Sequence, residues 1–337
     1  MPRPPRSMPV TAMVVLLAGC SSPKPAPVTE APAPPAWTDA SPHRTGFVSA
    51  NGVRLNYLDW GGTGPNLILI HGLGDNPHVF DEMAATLGGQ FRIIAYARRG
   101  HGRSSKIGPF DTGTLTEDLK AVMDSLKIAK AHLAGWSMGG NEITGMAGKY
   151  PDRVGRIVYL DGAYDWADPA NVAAFKELPA DLSPKPAALA SVEAFQSWQT
   201  GTFFPAVTDP TRLEAYIRGM VDIQPDGTVR PVASDSISAA LFEALMTNRR
   251  DYTKVKAPAL AIYAETFLDV TLGDSVQRAK NLAWEEKLFR PFRTASIARV
   301  KRELKRLEIV AVPGTHPDFM FTSRDRVAEA IRAFLVK

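Results

Sequence analysis

The sequence predicts an α/β fold, a mostly parallel sheet with helices on both faces, from two observations. Short apolar runs alternate with helix-compatible stretches from about residue 45 to the end of the chain. The runs are continuously apolar, which means burial on both faces, as in a parallel sheet covered by helices.

The elements follow in chain order. Residues 47–50 and 53–59 flank Asn51-Gly52, a strong short-range hairpin signal, so the domain opens with an antiparallel pair. Strands are expected at 67–70, 91–95, 131–134, 156–160, 259–263 and 307–312, and helices at 79–87, 115–126, 140–150 and 324–336. In the last helix Val327, Ile331 and Leu335 fall four apart on one face. Residues 163–255 break the rhythm, and a structureless connection of that length is implausible in a compact domain. An inserted helical cap is expected there. Its aromatics (Phe175, Phe195, Trp198, Phe203, Phe204, Tyr216 and Phe242) are expected mostly to form the cap's own core.

The 337 residues are 45% hydrophobic and 22% charged, which excludes collagen-like, coiled-coil and wholly disordered chains. A formal charge of +4 and a pI near 9.1 are too mild to indicate a nucleic-acid partner without a clustered basic face. The single cysteine excludes intramolecular disulfides and cysteine-built zinc sites. Ten of the 27 prolines fall in the first 36 residues, so the proline excess belongs to a segment.

That segment has a positive lead at Arg3 and Arg6, an apolar run at 10–18, and Leu17-Ala18-Gly19-Cys20. The run is too short to span a bilayer, which takes about 20 apolar residues, and its layout is that of a secretory signal. Leu-Ala-Gly-Cys resembles the bacterial lipoprotein signal, which implies cleavage before Cys20 and lipidation of its thiol. The expected organisation is a signal at 1–19, a Pro/Ala-rich disordered tether at 20–40 and one domain at 41–337. The implied location is the bacterial cell envelope, exported and held at a membrane through Cys20, the outer membrane facing the periplasm in the first instance.

Gly135-Trp136-Ser137-Met138-Gly139 follows one expected strand and precedes a helix. In that context G-x-S-x-G is a nucleophile turn, in which flanking glycines let the chain pass closely and the serine hydroxyl is lifted to the sheet edge. A serine needs an oriented base. Of six histidines, His43 lies in the linker, His132 begins a strand, and His71, His78 and His101 sit at early strand ends and loops. Only His316 follows the last strand, where loops at strand C-termini converge with Ser137. Acyl transfer also needs donors for an oxyanion. Met138 N–H is one, and Leu73 N–H in His71-Gly72-Leu73-Gly74 is the expected second.

These motifs, with Arg99-Gly100-His101-Gly102-Arg103-Ser104 and Pro313-Gly314-Thr315-His316, resemble the serine members of the α/β-hydrolase superfamily. The resemblance implies an eight-stranded, mostly parallel sheet with an inserted cap, a serine hydrolase of carboxylesterase type on small-molecule esters or other acyl substrates, and no cofactor or metal. Perhydrolysis and C–C cleavage use the same parts, and a non-catalytic ligand-binding lipoprotein is the rival of another class. Most members carry Asp where Ala97 stands, which removes one expected turn-stabilising bond. The triad acid has three candidates. Phe267 occupies the place where the family usually has it, with Glu265 and Asp269 on either side. Asp161, directly ending a strand, is the preferred acid, from the strand that pancreatic-type lipases use.

Residues 276–308 hold ten basic residues against four glutamates. Pro291 is expected to divide this stretch into two helices, the second with a stripe of Val300, Leu304 and Leu307. Its cations read as a solvated face, or as a patch for anionic lipid headgroups.

Overall fold

The hairpin forms as the sequence requires. Arg44–Ala50 (β1) pairs antiparallel with Val53–Gly61 (β2), and Asn51 and Gly52 turn the chain at φ 48° and 76°, both left-handed as a type I′ turn demands. The computed structural model describes residues 37–337 except 180 and 272. The expected signal at 1–19, Cys20 and nearly all of the tether lie outside the described residues. Ala40–Lys337 forms one folded unit.

Asn66–Ile70 (β3), Arg92–Tyr96 (β4), Ala131–Trp136 (β5) and Val154–Leu160 (β6) follow. Val221–Ile223 (β7) and Val229–Pro231 (β8) pair only with each other, and Ala259–Thr266 (β9) and Leu307–Thr315 (β10) return to the main sheet. The eight-stranded order is β1-β2-β4-β3-β5-β6-β9-β10. The β2–β4 pair is antiparallel and every pair beyond it parallel.

The helices are Asp81–Leu87 (α1), Thr112–Ser125 (α2), Gly139–Lys149 (α3), Pro169–Lys176 (α4), Val192–Phe203 (α5), Glu214–Arg218 (α6), Asp235–Thr247 (α7), Ser275–Trp284 (α8), Arg290–Glu303 (α9), Phe319–Thr322 (α10) and Arg324–Leu335 (α11). Alternation along β3 shows how the sheet divides two cores. Leu67 and Leu69 pack with Met83 and Leu87 of α1 and Val327 and Ile331 of α11, while Ile68 and Ile70 pack with Leu119 of α2 and Ile143 of α3. These four apolar side chains of β3 are fully buried, each stabilising the fold by about 1.5–3 kcal/mol.

Between β6 and β9 the chain leaves the sheet for α4 to α7 and the β7–β8 ribbon. Serines start two of these helices, with Ser191 Oγ accepting from Ala194 N and Ser234 Oγ from Ile237 N, which satisfies first-turn N–H groups. The aromatics pack as a core, with Phe195, Phe204 and Tyr216 buried and Trp198 and Phe203 against them, and these five of the seven also line the cavity beside Ser137.

Pro291 does not divide the basic segment. A π-helical turn at Glu285–Phe289 joins α8 to α9, and Pro291 falls in the first turn of α9. There its missing N–H matters little, and the wider turn before it relieves the ring's clash with the preceding carbonyls. Helix α9 ends at Glu303, so Leu307 belongs to β10 and the buried helix face is Phe292, Ser296 and Val300.

Candidate active site

Ser137 stands between β5 and α3 at φ 51°, and Asp161, directly after β6, at φ 42°. They are two of the four left-handed non-glycine residues among those described. Such backbone costs on the order of 1–3 kcal/mol and persists where surrounding structure enforces it. The glycines around Ser137 show the enforcement. A Cβ on Gly135 would stand 2.5 Å from Gly139 backbone atoms, and one on Gly139 would strike Ile70 O. The turn is closed by Ser137 N to Leu160 O at 3.1 Å and Gly140 N to Ser137 O at 3.0 Å. These bonds leave Met138 N–H unclaimed at the start of α3.

Asp161 reaches across the sheet edge to His316, its Oδ2 2.6 Å from Nδ1. Its other oxygen accepts from Tyr164 Oη at 2.6 Å and Ala264 N at 3.1 Å. Three of the roughly four acceptor directions of this buried carboxylate are therefore filled, which locks its plane. The imidazole is fixed as firmly. Phe267 stacks on it with centroids 4.5 Å apart, Trp166 meets it edge-on at 6.0 Å, and Trp136 Nε1 donates to His316 O at 3.2 Å. The residue in the family's usual acid position is thus a stacking partner of the histidine. Asp269 turns away to accept from Thr271 N and Oγ1, and the Glu265 side chain is exposed. The Nδ1 side of His316 belongs to Asp161.

Ser137, His316 and Leu73 share a cavity of about 310 Å³ whose walls include Trp136, Phe195, Trp198, Phe203 and Phe204. The loop carrying Leu73 is held from behind by groups the sequence did not single out. Arg98, fully buried, donates to His71 O at 2.7 Å and Gly72 O at 3.0 Å and pairs with the equally buried Glu142 at 2.5 Å. Tyr96 Oη donates to Glu142 at 2.6 Å. His71 Nε2 accepts from Arg98 N, and His101 Nε2 accepts from Gly74 N. Burial, reinforced by the Arg98 charge, lowers both imidazoles, His101 to about 3, so they stay neutral acceptors. The turn that lacks an Asp at Ala97 is closed instead by Ser104 Oγ donating to Ala97 O at 2.6 Å.

Asp75 also lines the cavity and was not singled out in the sequence. Burial raises its carboxyl to about 7 despite a hydrogen bond from Tyr216. Asp75 and His316 are the cavity's titratable groups besides Tyr216, and both are engaged by protein partners, so the described lining offers no convergent set of metal ligands. The chemical capacity of the arrangement is nucleophilic: a strained serine, an imidazole with a defined hydrogen-bonding partner, and backbone donors beside them.

Residues 65–204 match a family model described as alpha/beta hydrolase fold. The 2-(acetamidomethylene)succinate hydrolase of Mesorhizobium japonicum is 26% identical over 280 residues, which is 81% of this chain and 89% of that protein. A putative non-heme haloperoxidase of Mycobacterium phage D29 is 38% identical over 126 residues, 36% of this chain and 44% of its own length. A crystal structure of E-2-(acetamidomethylene)succinate hydrolase superposes with a TM-score of 0.70 at 23% identity, covering 88% of this chain and all of the other. With the sheet order and the tight turn at Ser137 described above, the chain has the α/β-hydrolase fold.

Proposed function

We propose that the protein is a serine hydrolase acting on carboxylic esters through an acyl-enzyme. Ser137 Oγ attacks the carbonyl carbon while His316 Nε2 takes its proton. Asp161 holds the Nδ1–H tautomer and stabilises the imidazolium. Met138 N–H and Leu73 N–H receive the oxyanion. The imidazolium then protonates the leaving alcohol, and a water activated by the same imidazole releases the acid and restores Ser137. The observation that carries this reading is the 2.6 Å Asp161–His316 bond at the rim of the cavity that Ser137 enters. In a resting enzyme the serine–histidine bond is often long and tightens with substrate.

Rapid mixing with p-nitrophenyl butyrate tests it. A nitrophenol burst stoichiometric with enzyme, absent in Ser137→Ala, is expected; steady release without a burst and unchanged in that variant contradicts it. We further propose attachment at the cell envelope through lipidated Cys20, on the sequence alone. Cys20→Ser should move the protein from the membrane to the soluble fraction, and an unchanged distribution refutes attachment.

A further inference from the structure

Among the described residues, the cavity beside Ser137 is lined by no lysine or arginine, and its acidic residue sits close to the chemistry. Asp75 is 8% exposed. Its Oδ1 accepts from Tyr216 Oη at 2.5 Å, and Asn76 beside it donates Nδ2 to Tyr216 O at 2.7 Å. Helix α6, which carries Tyr216, is therefore fastened to the loop that carries Leu73. The second carboxyl oxygen lies near the nucleophile: a Cβ on Gly72 would stand 2.5 Å from Asp75 Oδ2 and 3.4 Å from Ser137 Cβ, so both flank Gly72. The two buried cations behind the site are engaged elsewhere, Arg98 by Glu142 and backbone carbonyls and Arg250 by Asn141 and the Gly162 carbonyl.

We propose that Asp75 makes this site a charge filter, which takes acyl groups that are uncharged and rejects those carrying a carboxylate, an inference that rests on the serine-hydrolase reading. An anionic acyl chain entering the aromatic cavity loses its hydration and meets no cation in exchange. It also meets Asp75, whose ionisation it opposes and which opposes it in turn. An uncharged chain meets apolar walls and a carboxyl that burial keeps protonated through mildly acidic pH. This sets the chain apart from a relative whose printed substrate is a succinate derivative.

The test compares two substrates with the same six-carbon acyl chain, p-nitrophenyl methyl adipate and p-nitrophenyl hydrogen adipate, which differ in a terminal methyl group and one negative charge. The wild-type protein is expected to favour the methyl ester in kcat/KM by roughly 100-fold. Asp75→Asn should narrow that ratio about tenfold, and Gln199→Lys, which sets a cation in the same lining, should narrow it with the Asp75 side chain still present. The ratio is the readout, so a general loss of rate in either variant leaves it legible. Equal hydrolysis of both esters by wild type, lost in Ser137→Ala, overturns the filter and leaves the serine reading standing. A preference that persists unchanged in Asp75→Asn overturns the assignment to Asp75. Hydrolysis of neither ester by folded protein overturns the serine reading and the filter with it.

Discussion

Replacing Asp161 by asparagine should invert the histidine while leaving the site standing. The carboxylate faces donors on both sides: Tyr164 Oη and Ala264 N at Oδ1, and His316 Nδ1 at Oδ2. An asparagine can accept on one side only. Two donors against one place its carbonyl oxygen toward Tyr164 and Ala264, so its NH2 points at Nδ1. The imidazole then carries its proton on Nε2, the atom that must receive the Ser137 proton, and general-base catalysis stops. A wrong-tautomer histidine in a serine triad costs on the order of 10⁴ in kcat, or about 5 kcal/mol of barrier. Because both donors at Oδ1 stay satisfied, folding stability should change by no more than about 1 kcal/mol. The assay is steady-state hydrolysis of p-nitrophenyl butyrate, with urea unfolding as the control. Asp269→Asn and Glu265→Gln, measured alongside, should stay within about threefold of wild type. Asp161→Asn within tenfold of wild type, or an equal loss in either of the others, refutes the assignment.

Three other outcomes are expected. Arg98→Met leaves the Glu142 carboxylate buried without its cation, and should cost about 3–5 kcal/mol in chemical denaturation; adding Glu142→Leu should recover a large part of it, and no recovery contradicts the pairing. Burial holds the Glu285 carboxyl up at about 7 against an ordinary 4.5, although Phe267 N and Leu268 N each donate to it at 2.6 Å. A carboxyl raised on folding binds its proton more tightly in the native state, so its stability contribution is full below pH 4.5 and is lost as pH climbs to 7. Glu285→Gln should therefore gain on wild type by about 3 kcal/mol between pH 4.5 and pH 8 in urea titrations, and a gain independent of pH contradicts the shift. Gly135→Ala should abolish measurable ester hydrolysis, because its Cβ meets backbone of Gly139 that cannot swing aside, and an active variant contradicts the tight turn.

What the residues disclosed in advance was what local backbone chemistry dictates. The Asn51-Gly52 hairpin and the apolar runs announced the sheet because burial on two faces leaves no polar alternation. The glycines around Ser137 announced the turn because nothing larger fits beside Gly139 and Ile70. Ser137, His316 and Asp161 stand at strand ends, so topology alone brings them to one edge. The groups that hold them there were not legible, since packing between distant segments creates them. Phe267 looked like a defect in the acid position, and only the folded chain shows its ring on His316. Asp75 gave no signal, because the residue that covers it, Tyr216, lies 141 residues later. Pro291 read as a break because composition does not disclose a π-helical turn. Arg98 and Glu142 gave no signal either, since charged residues are seldom fully buried unless they find each other.

The central claim is that Ser137 is an activated nucleophile, and covalent labelling tests it most directly. Folded protein treated with a fluorophosphonate probe should gain one adduct mass, carried after digestion on the Ser137 hydroxyl, with labelling lost in Ser137→Ala and strongly slowed in Asp161→Asn. Absence of an adduct on folded wild-type protein, or undiminished labelling of Ser137→Ala, would contradict the account.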